Sequence, residues 1–157
     1  MATRVKLYPN EKQKVLLEKH FGSCRFVYNH FLEERDRYYI THKDAEKSSF
    51  NYIDTQTMLL ELKKEYPWLY EVNSQSLQLS LRFLENAFKN FFHKNAEHPR
   101  FRKKGKNDYF AIPQRIKIEH KENRIDKSRA SAVRIYACGD RHIGLVRNIS
   151  IQADVGL

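Results

Sequence analysis

The amino-acid sequence predicts an α+β fold in which a bundle of helices precedes a small β element. Apolar residues recur at helical spacing between Ser74 and Phe92, whereas two later segments, Tyr109–Pro113 and Arg115–Glu119, are typical of strands, and the second alternates polar and apolar residues. The length of 157 residues allows one domain with a modest hydrophobic core.

The N-terminal segment predicts a strand followed by a helix. Arg4–Tyr8 alternates polar and apolar residues and is followed by Pro9, which ends the strand. Asn10 is a candidate N-cap, and Gln13 stands three positions later, as a capping box requires. We therefore expect a helix that begins at residue 11 and runs to about His20.

Gly22 is expected to interrupt this helix, and Ser23 is expected to cap a second one. The apolar residues of the second helix share one face: Cys24, Val27, Tyr28, Phe31 and Tyr38. The segment thus has a helix-turn-helix pattern, a signal that many helical hairpins also give.

Two further helices are predicted between residues 54 and 92. Asp54 is expected to cap the third, which ends at Tyr66 because Pro67 cannot continue a helix. Ser74 is expected to cap the fourth. Its core face repeats at spacings of 4, 3, 4 and 3 through Leu77, Leu81, Leu84, Phe88 and Phe91.

The net charge of +10 and the isoelectric point near 9.6 point to a polyanionic partner. The charge is uneven, because residues 1–93 carry 14 Lys and Arg against 12 Asp and Glu, whereas residues 94–157 carry 15 against 7. Nucleic acid is the preferred partner class, and charge alone leaves open two alternatives, a ribosome-like protein and a protein that binds a membrane surface.

The segment Pro99–Lys106 is the most basic part of this region. It holds five cations around Phe101 and Gly105, and it has no helical periodicity. We interpret it as a flexible basic hinge that contacts phosphates, with a solubilising linker as the alternative. The cations expected to bind are Arg100, Arg102, Lys103, Lys104 and Lys106, joined by Arg115 and Lys117 of the later strand.

The fourth predicted helix also carries a polar stripe opposite its leucines, made of Gln75, Gln78, Arg82 and Lys89. Glutamine pairs with adenine and arginine with guanine in a major groove, whereas lysine mostly contacts phosphate. The stripe is a candidate DNA-reading surface, and a solvated helix face is the alternative.

The remaining chemistry is sparse. Cys24 and Cys138 are the two cysteines, and neither has a second cysteine nearby, so we expect no metal or other cofactor. The N-terminus has no signal-peptide pattern and no segment approaches a membrane span, so the sequence predicts a cytoplasmic protein with no membrane partner. The oligomeric state is not predicted.

Six motifs, in order, resemble the N-terminal region of OrfB/TnpB-type transposases of insertion sequences. They are Arg4–Asn10, Phe21–Asn29, Leu62–Leu69, Asn73–Gln78, Ala87–Phe92 and Pro99–Lys104. The resemblance implies an RNA-guided DNA nuclease family in which this region holds guide RNA and the duplex beside the target. It also implies that the stripe, together with Tyr28 and Asn29, contacts DNA.

The resemblance further implies a domain organisation. A helical recognition lobe, residues 10–94, is inserted into a small, incomplete β-barrel lobe formed by residues 1–9 and 107–125. Residues 95–106 are the basic linker, and residues 126–157 are a divergent tail. If barrel strands are missing after Ile125, the edge of residues 109–119 should be unpaired and the tail poorly packed.

The family pattern continues into a RuvC-like nuclease domain and a zinc ribbon, which this sequence does not match. After Ile125 its acidic residues are only Asp126, Asp140 and Asp154. We therefore expect a truncated, non-cleaving protein that binds element DNA, guide RNA or both. The alternative is a helix-turn-helix regulatory or interaction protein whose second helix enters the DNA groove by itself.

Overall fold

A computed structural model describes residues 4–7, 11–42, 52–106, 109–112, 133–138 and 142–146. Along the chain these residues form strand β1 (Arg4–Leu7), helix α1 (Glu11–Thr41), helix α2 (Tyr52–Glu65) and helix α3 (Ser74–Phe92). Strands β2 (Tyr109–Ile112), β3 (Val133–Cys138) and β4 (His142–Val146) follow. The mostly helical architecture with a small sheet confirms the predicted α+β class at this level.

Helix α1 is a single helix of 31 residues, so the predicted break at Gly22 is wrong. Its length is about 46 Å at 1.5 Å per residue. Residues on both sides of the glycine are buried against the rest of the protein, including Phe21, Cys24 and Val27. This packing outweighs the roughly 1 kcal/mol that glycine costs in a helix interior. Ser23, predicted as a cap, is a buried helical residue.

Helix α2 begins two residues before Asp54, which therefore lies in the first turn instead of capping the helix. A carboxylate there still interacts favourably with the positive end of the helix. The helix ends at Glu65, and a short 3₁₀ helix, Pro67–Glu71, follows it. The predicted stop at proline is confirmed.

Helix α3 confirms the predicted fourth helix, but its N-cap is Asn73 and not Ser74. The Asn73 side chain accepts hydrogen bonds from the backbone N–H groups of Gln75, at 2.8 Å, and Ser76, at 3.3 Å. The helix ends near Lys94, which has a left-handed backbone with φ of 58°. The predicted core residues Leu77, Leu81, Leu84 and Phe88 are buried; Phe91 is half-buried.

The core lies mainly between α1 and α3, and β2 closes one side of it. Phe110 of β2 is 2% exposed. Its ring lies 5.2 Å from that of Phe21 and 4.9 Å from that of His20. The first part of α1 and the later strand are thereby held together.

His20 connects α1 to the start of α3 from inside this core. Its Nδ1 donates to the carbonyl of Leu16 at 2.8 Å, and its Nε2 accepts from the backbone N–H of Asn73 at 3.2 Å. Burial lowers the pKa of His20, although the Leu16 carbonyl acts in the opposite direction. The neutral ring satisfies both contacts.

The four strands form one antiparallel sheet in the order β1-β4-β3-β2. In this register Arg4 lies opposite Val146, and Tyr109 lies opposite Tyr136. With β1 and β2 at the outer positions, the described strands form an open sheet, and the predicted barrel is not formed by them. The helices do lie between β1 and β2 in the sequence, as predicted.

The sheet corrects the expectation for the end of the chain. Strands β3 and β4 both come from residues 126–157, and β2 pairs with β3 along residues 109–112. The prediction of an unpaired edge is therefore wrong for residues 109–112, and the tail contributes two strands to the fold. The predicted strand Arg115–Glu119 lies outside the described residues, and the proposed domain boundaries stay predictions.

Candidate nucleic-acid interface

The predicted binding residues fall into three groups in the structure. Tyr28 and Asn29 lie on α1, the polar stripe lies on α3, and the basic segment follows α3. Arg115 and Lys117 lie outside the described residues. No described helix is both long and apolar enough to cross a membrane.

Asn29 holds the backbone of the basic segment against α1. Its Nδ2 donates to the carbonyl of Arg102 at 2.9 Å, and its Oδ1 accepts from the backbone N–H of Arg102 at 2.8 Å. An amide side chain carries both a donor NH2 group and an acceptor oxygen, so it can satisfy both backbone polar groups of one residue. The two partners are 73 positions apart in the sequence.

The Arg102 side chain lies between two tyrosines. Its guanidinium carbon is 3.8 Å from the centre of the Tyr28 ring and 4.4 Å from that of Tyr109. The guanidinium also donates to the Tyr109 hydroxyl at 2.7 Å. Two cation–π contacts and a hydrogen bond occupy this cation within the protein.

Tyr28 is only 6% exposed. Burial raises the pKa of Tyr28, and the positive charge of Arg102 partly offsets this effect. Tyr28, Asn29 and Arg102 therefore form one supporting unit beneath the basic segment. Tyr109 completes the unit, although the sequence marked it only as the start of a strand.

The basic segment is held to the helices at several points, so its interpretation as a flexible hinge is wrong. Pro99 is buried, and His98 Nε2 lies 3.1 Å from Asp36 Oδ1. The His98 ring also contacts Phe88, at 5.5 Å between centres. With Arg102 fixed by Asn29, residues 98–102 follow a defined path along α1 and α3.

Beyond Arg102 the chain makes a tight turn. The backbone N–H of Lys106 donates to the carbonyl of Lys103 at 3.2 Å, and Gly105 has a φ of 74°, which favours glycine. The turn exposes three lysines, which we call the basic turn: Lys103, Lys104 and Lys106. Arg100 is also exposed and forms an ion pair with Glu97.

The α3 stripe, composed of Gln75, Gln78, Arg82 and Lys89, is exposed along its whole length. The Arg82 guanidinium lies 5.7 Å from the centre of the Tyr52 ring on α2. Because an exposed pair of this kind is weak, Arg82 can exchange Tyr52 for another partner at little cost. The side chains of the stripe are accessible to a ligand, whereas the Arg102 guanidinium is occupied by Tyr28 and Tyr109.

One acidic residue interrupts the stripe, and the sequence prediction missed it. Glu85 lies between Arg82 and Lys89, and its Oε1 is 3.7 Å from the Lys89 ammonium. Its Oε2 accepts from Arg35 of α1 at 2.6 Å, with both side chains largely buried. The Arg35 cation neutralises this carboxylate beneath the surface, so the exposed part of the stripe stays polar and basic.

The stripe and the basic turn are connected through Tyr109. Phe83, next to Arg82 in α3, packs edge-on against the Tyr109 ring at 5.4 Å between centres. Tyr109 in turn contacts Arg102, which precedes the basic turn. A short chain of contacts thus fixes the turn relative to α3.

Comparison with known proteins identifies a domain at the start of the chain. Residues 1–44 match an OrfB-type domain described as a helix-turn-helix domain. In this chain the matched helical residues from Glu11 onward form the single helix α1.

Curated relatives extend the similarity over the rest of the chain. The chain is 34% identical over 157 residues to "Putative RNA-guided DNA endonuclease InsQ" of Escherichia coli (strain K12), covering 99% of this chain and 38% of that protein. It is 37% identical over 107 residues to a "Putative RNA-guided DNA endonuclease" of Streptomyces pristinaespiralis, covering 67% of this chain and 26% of that protein.

A third relative is much shorter than these two. The chain is 33% identical over 113 residues to "Virulence protein VsdF" of Salmonella dublin, covering 66% of this chain and 92% of that protein.

The domain match and the two longer relatives confirm the resemblance carried by the sequence motifs. The chain belongs to the OrfB/TnpB family of insertion-sequence transposases and carries the N-terminal region of that family.

Proposed function

We propose that this chain binds DNA of its insertion element through the α3 stripe and the basic turn together. The exposure of Lys103, Lys104 and Lys106 on a turn that Asn29 fixes to α1 is the observation that carries the proposal. A fixed group of cations loses less conformational freedom on binding phosphates than a free linker would. The matched helix-turn-helix domain supports the same class of ligand.

The two surfaces have different roles in this proposal. The lysines of the basic turn neutralise phosphates and supply affinity without regard to sequence. Gln75, Gln78 and Arg82 carry groups that pair with adenine and guanine edges, so the stripe supplies base preference. Lys89 and Arg100 add phosphate contacts at the margins, and Arg115 and Lys117 stay predicted contacts.

Guide-type RNA is the second proposed ligand, because RNA phosphates meet the same cations. The two longer relatives are named as RNA-guided endonucleases, which supports including an RNA ligand. We propose binding without cleavage, in the cytoplasm.

The alternative of an isolated helix-turn-helix regulator has less support. It requires the part of α1 after Gly22 to enter a DNA groove by itself. Cys24, Val27 and Phe31 in that part are fully buried within the core. On α3, by contrast, the base-reading side chains of Gln75, Gln78 and Arg82 are exposed.

The proposal is tested by measuring affinity for a fluorescent element-end duplex at several salt concentrations. Replacing Lys103, Lys104 and Lys106 with glutamine should weaken binding and reduce the magnitude of the log–log salt slope by about three, roughly one for each phosphate contact. The matched control replaces the exposed lysines of other elements, Lys12, Lys14 and Lys64, and removes the same charge. Equal losses in both variants would show a general charge effect and contradict the proposed site.

A further inference from the structure

Gly22 lies in the middle of α1, and nothing among the described residues requires a glycine there. A Cβ atom added at this position would meet no atom within 4 Å. The residue is helical, and its φ is not positive. Alanine would be the more stable residue in a helix interior, so the internal structure of the described protein does not account for glycine.

Two surface cavities meet at this glycine. One has a volume of about 390 Å³ and is lined by Gly22, Phe26 and Phe101 among others. The other has a volume of about 500 Å³ and is lined by Gly22, Trp68 and Lys19 among others. Gly22 is in the lining of both cavities, and we call its side-chain-free backbone the floor. We call the two cavities together the Gly22 groove.

Exposed aromatic rings flank this floor. Phe101 is 53% exposed and Trp68 is 41% exposed. The Phe26 ring packs edge-on against Trp68, with 5.0 Å between ring centres, and so positions it at the side of the groove. Large exposed aromatic side chains beside a glycine floor provide surfaces on which a flat ring can stack.

The acidic residues that line the groove are neutralised within the protein. The two acidic residues in its lining are both paired: Glu71 with Lys19 at 2.6 Å, and Glu33 with Arg37 at 3.2 Å. Phe101 directly precedes the residue that Asn29 holds, and the basic turn begins two positions after it. An aromatic surface therefore continues into a cluster of exposed lysines.

We propose that the Gly22 groove binds an unpaired segment of single-stranded nucleic acid, with bases stacked on both Trp68 and Phe101 and the adjoining phosphates held by the basic turn. Glycine allows the nucleotide to approach the α1 backbone closely. A duplex keeps its base faces stacked on each other, so it cannot use these rings. The inference rests on the proposed nucleic-acid function and adds a second site to it, selective for single strands.

Trp68 is the only tryptophan in the chain, so its fluorescence reports directly on the groove. Titration with oligo(dT) and with oligo(U) should quench this fluorescence, whereas an equal concentration of duplex nucleotides should not. The relative affinities for oligo(dT) and oligo(U) indicate whether the groove prefers DNA or RNA. Absence of quenching by both, or equal quenching by duplex, would overturn the inference.

Substitutions at Gly22 separate a ligand site from a structural role. Gly22→Leu fills the floor with a side chain that meets open space, and we expect it to weaken single-strand binding about tenfold, the effect of losing one stacked base. Gly22→Ala is the matched control, and it should bind within about twofold of the parent while melting at a higher temperature. Unchanged single-strand binding by Gly22→Leu would contradict the proposed groove.

The duplex titration distinguishes the two proposals. If Gly22→Leu keeps full duplex affinity and loses single-strand affinity, both proposals stand. If duplex binding depends on the basic turn but neither single strand quenches Trp68, the groove is wrong and the proposed function remains. If no nucleic acid binds in either assay, both are wrong.

Discussion

The basic segment and the α3 stripe contain similar side chains in different settings. Arg102 and Arg82 both lie over tyrosine rings, but Arg102 is enclosed by two of them at 3.8 and 4.4 Å, whereas Arg82 lies 5.7 Å from one. The Arg102 guanidinium therefore stabilises the basic segment, whereas the Arg82 guanidinium is exposed on the protein surface. The difference teaches that cations in a basic sequence must be sorted by their existing partners before any is assigned to a ligand.

The largest expected effect concerns the buried ion pair under the stripe. Arg35→Met should lower the free energy of unfolding by about 3–5 kcal/mol, because it leaves the Glu85 carboxylate largely buried without its main partner. Urea denaturation measures this loss.

The double variant Arg35→Met/Glu85→Leu provides the control. Replacing both members of a buried pair with apolar residues is often close to neutral, so much of the lost stability should return. A double variant as unstable as Arg35→Met would show that the Arg35 contact with Phe88, at 4.4 Å, and not the ion pair, holds α1 to α3.

The next effect concerns the basic segment. Asn29→Ala leaves the N–H and carbonyl of Arg102 without their partners and should cost about 1–3 kcal/mol. It should also weaken duplex binding without removing any charge, because the lysines of the basic turn lose their fixed position.

Asn29→Asp sharpens this test. Its carboxylate keeps the acceptor for the Arg102 N–H and loses the donor to the Arg102 carbonyl, so its stability should lie between those of the parent and Asn29→Ala. Duplex affinity that is unchanged in both variants would show that the turn binds DNA without needing its contact to α1.

Much of the difference between the basic segment and the α3 stripe could not be predicted from the sequence. The apolar repeat of α3 is regular enough to predict its bounds and core, and its opposite face follows directly from helical geometry. The contact of Asn29 with Arg102 joins residues 73 positions apart and leaves no local pattern, so the segment resembled a free hinge. Gly22 was misjudged because a propensity cost of about 1 kcal/mol is smaller than the burial of its neighbours.

The end of the chain shows a different kind of error. Val133, Ile135 and Ala137 alternate with polar or larger residues, which is a strand signal. The family resemblance implies a divergent tail at these residues, whereas their own alternation indicates a strand. The pairing of β3 with β4 could have been anticipated as a hairpin, because only three residues separate the two strands in the sequence.

A smaller effect concerns the pH dependence of stability that His20 causes at the start of α3. Burial keeps the pKa of His20 below its ordinary value of 6.5, so below about pH 6.5 the unfolded chain takes up a proton that the folded chain does not. The contribution of neutral His20 is fully present above that pH and is lost as the pH falls through the folded-state pKa. Free energies of unfolding measured between about pH 5 and pH 8 should therefore decrease toward acid.

His20→Gln should be less stable at neutral pH, because it loses the paired contacts to Leu16 and Asn73, but its pH dependence should be shallower. The six other histidines of the chain are the same in both proteins, so the difference between the two pH curves isolates His20. Parallel curves would show that His20 titrates in the folded protein as it does in the unfolded one.

The smallest effect on stability should come from the α3 stripe itself. Gln78→Ala and Arg82→Ala alter exposed side chains of a helix held by His20 at its start and by Arg35 in its middle, so each should change the free energy of unfolding by less than about 0.5 kcal/mol. Alanine is also a good helix former, which offsets the weak contact of Arg82 with Tyr52.

On an element-end duplex, however, loss of a base contact by either variant should cost about 1–3 kcal/mol in binding. Because a base contact differs from a phosphate contact in sequence dependence, the loss should be much smaller on a random duplex of equal length. Equal losses on the two duplexes would assign the stripe to phosphate binding, and the distinction between a base-reading stripe and a phosphate-binding turn would then fail.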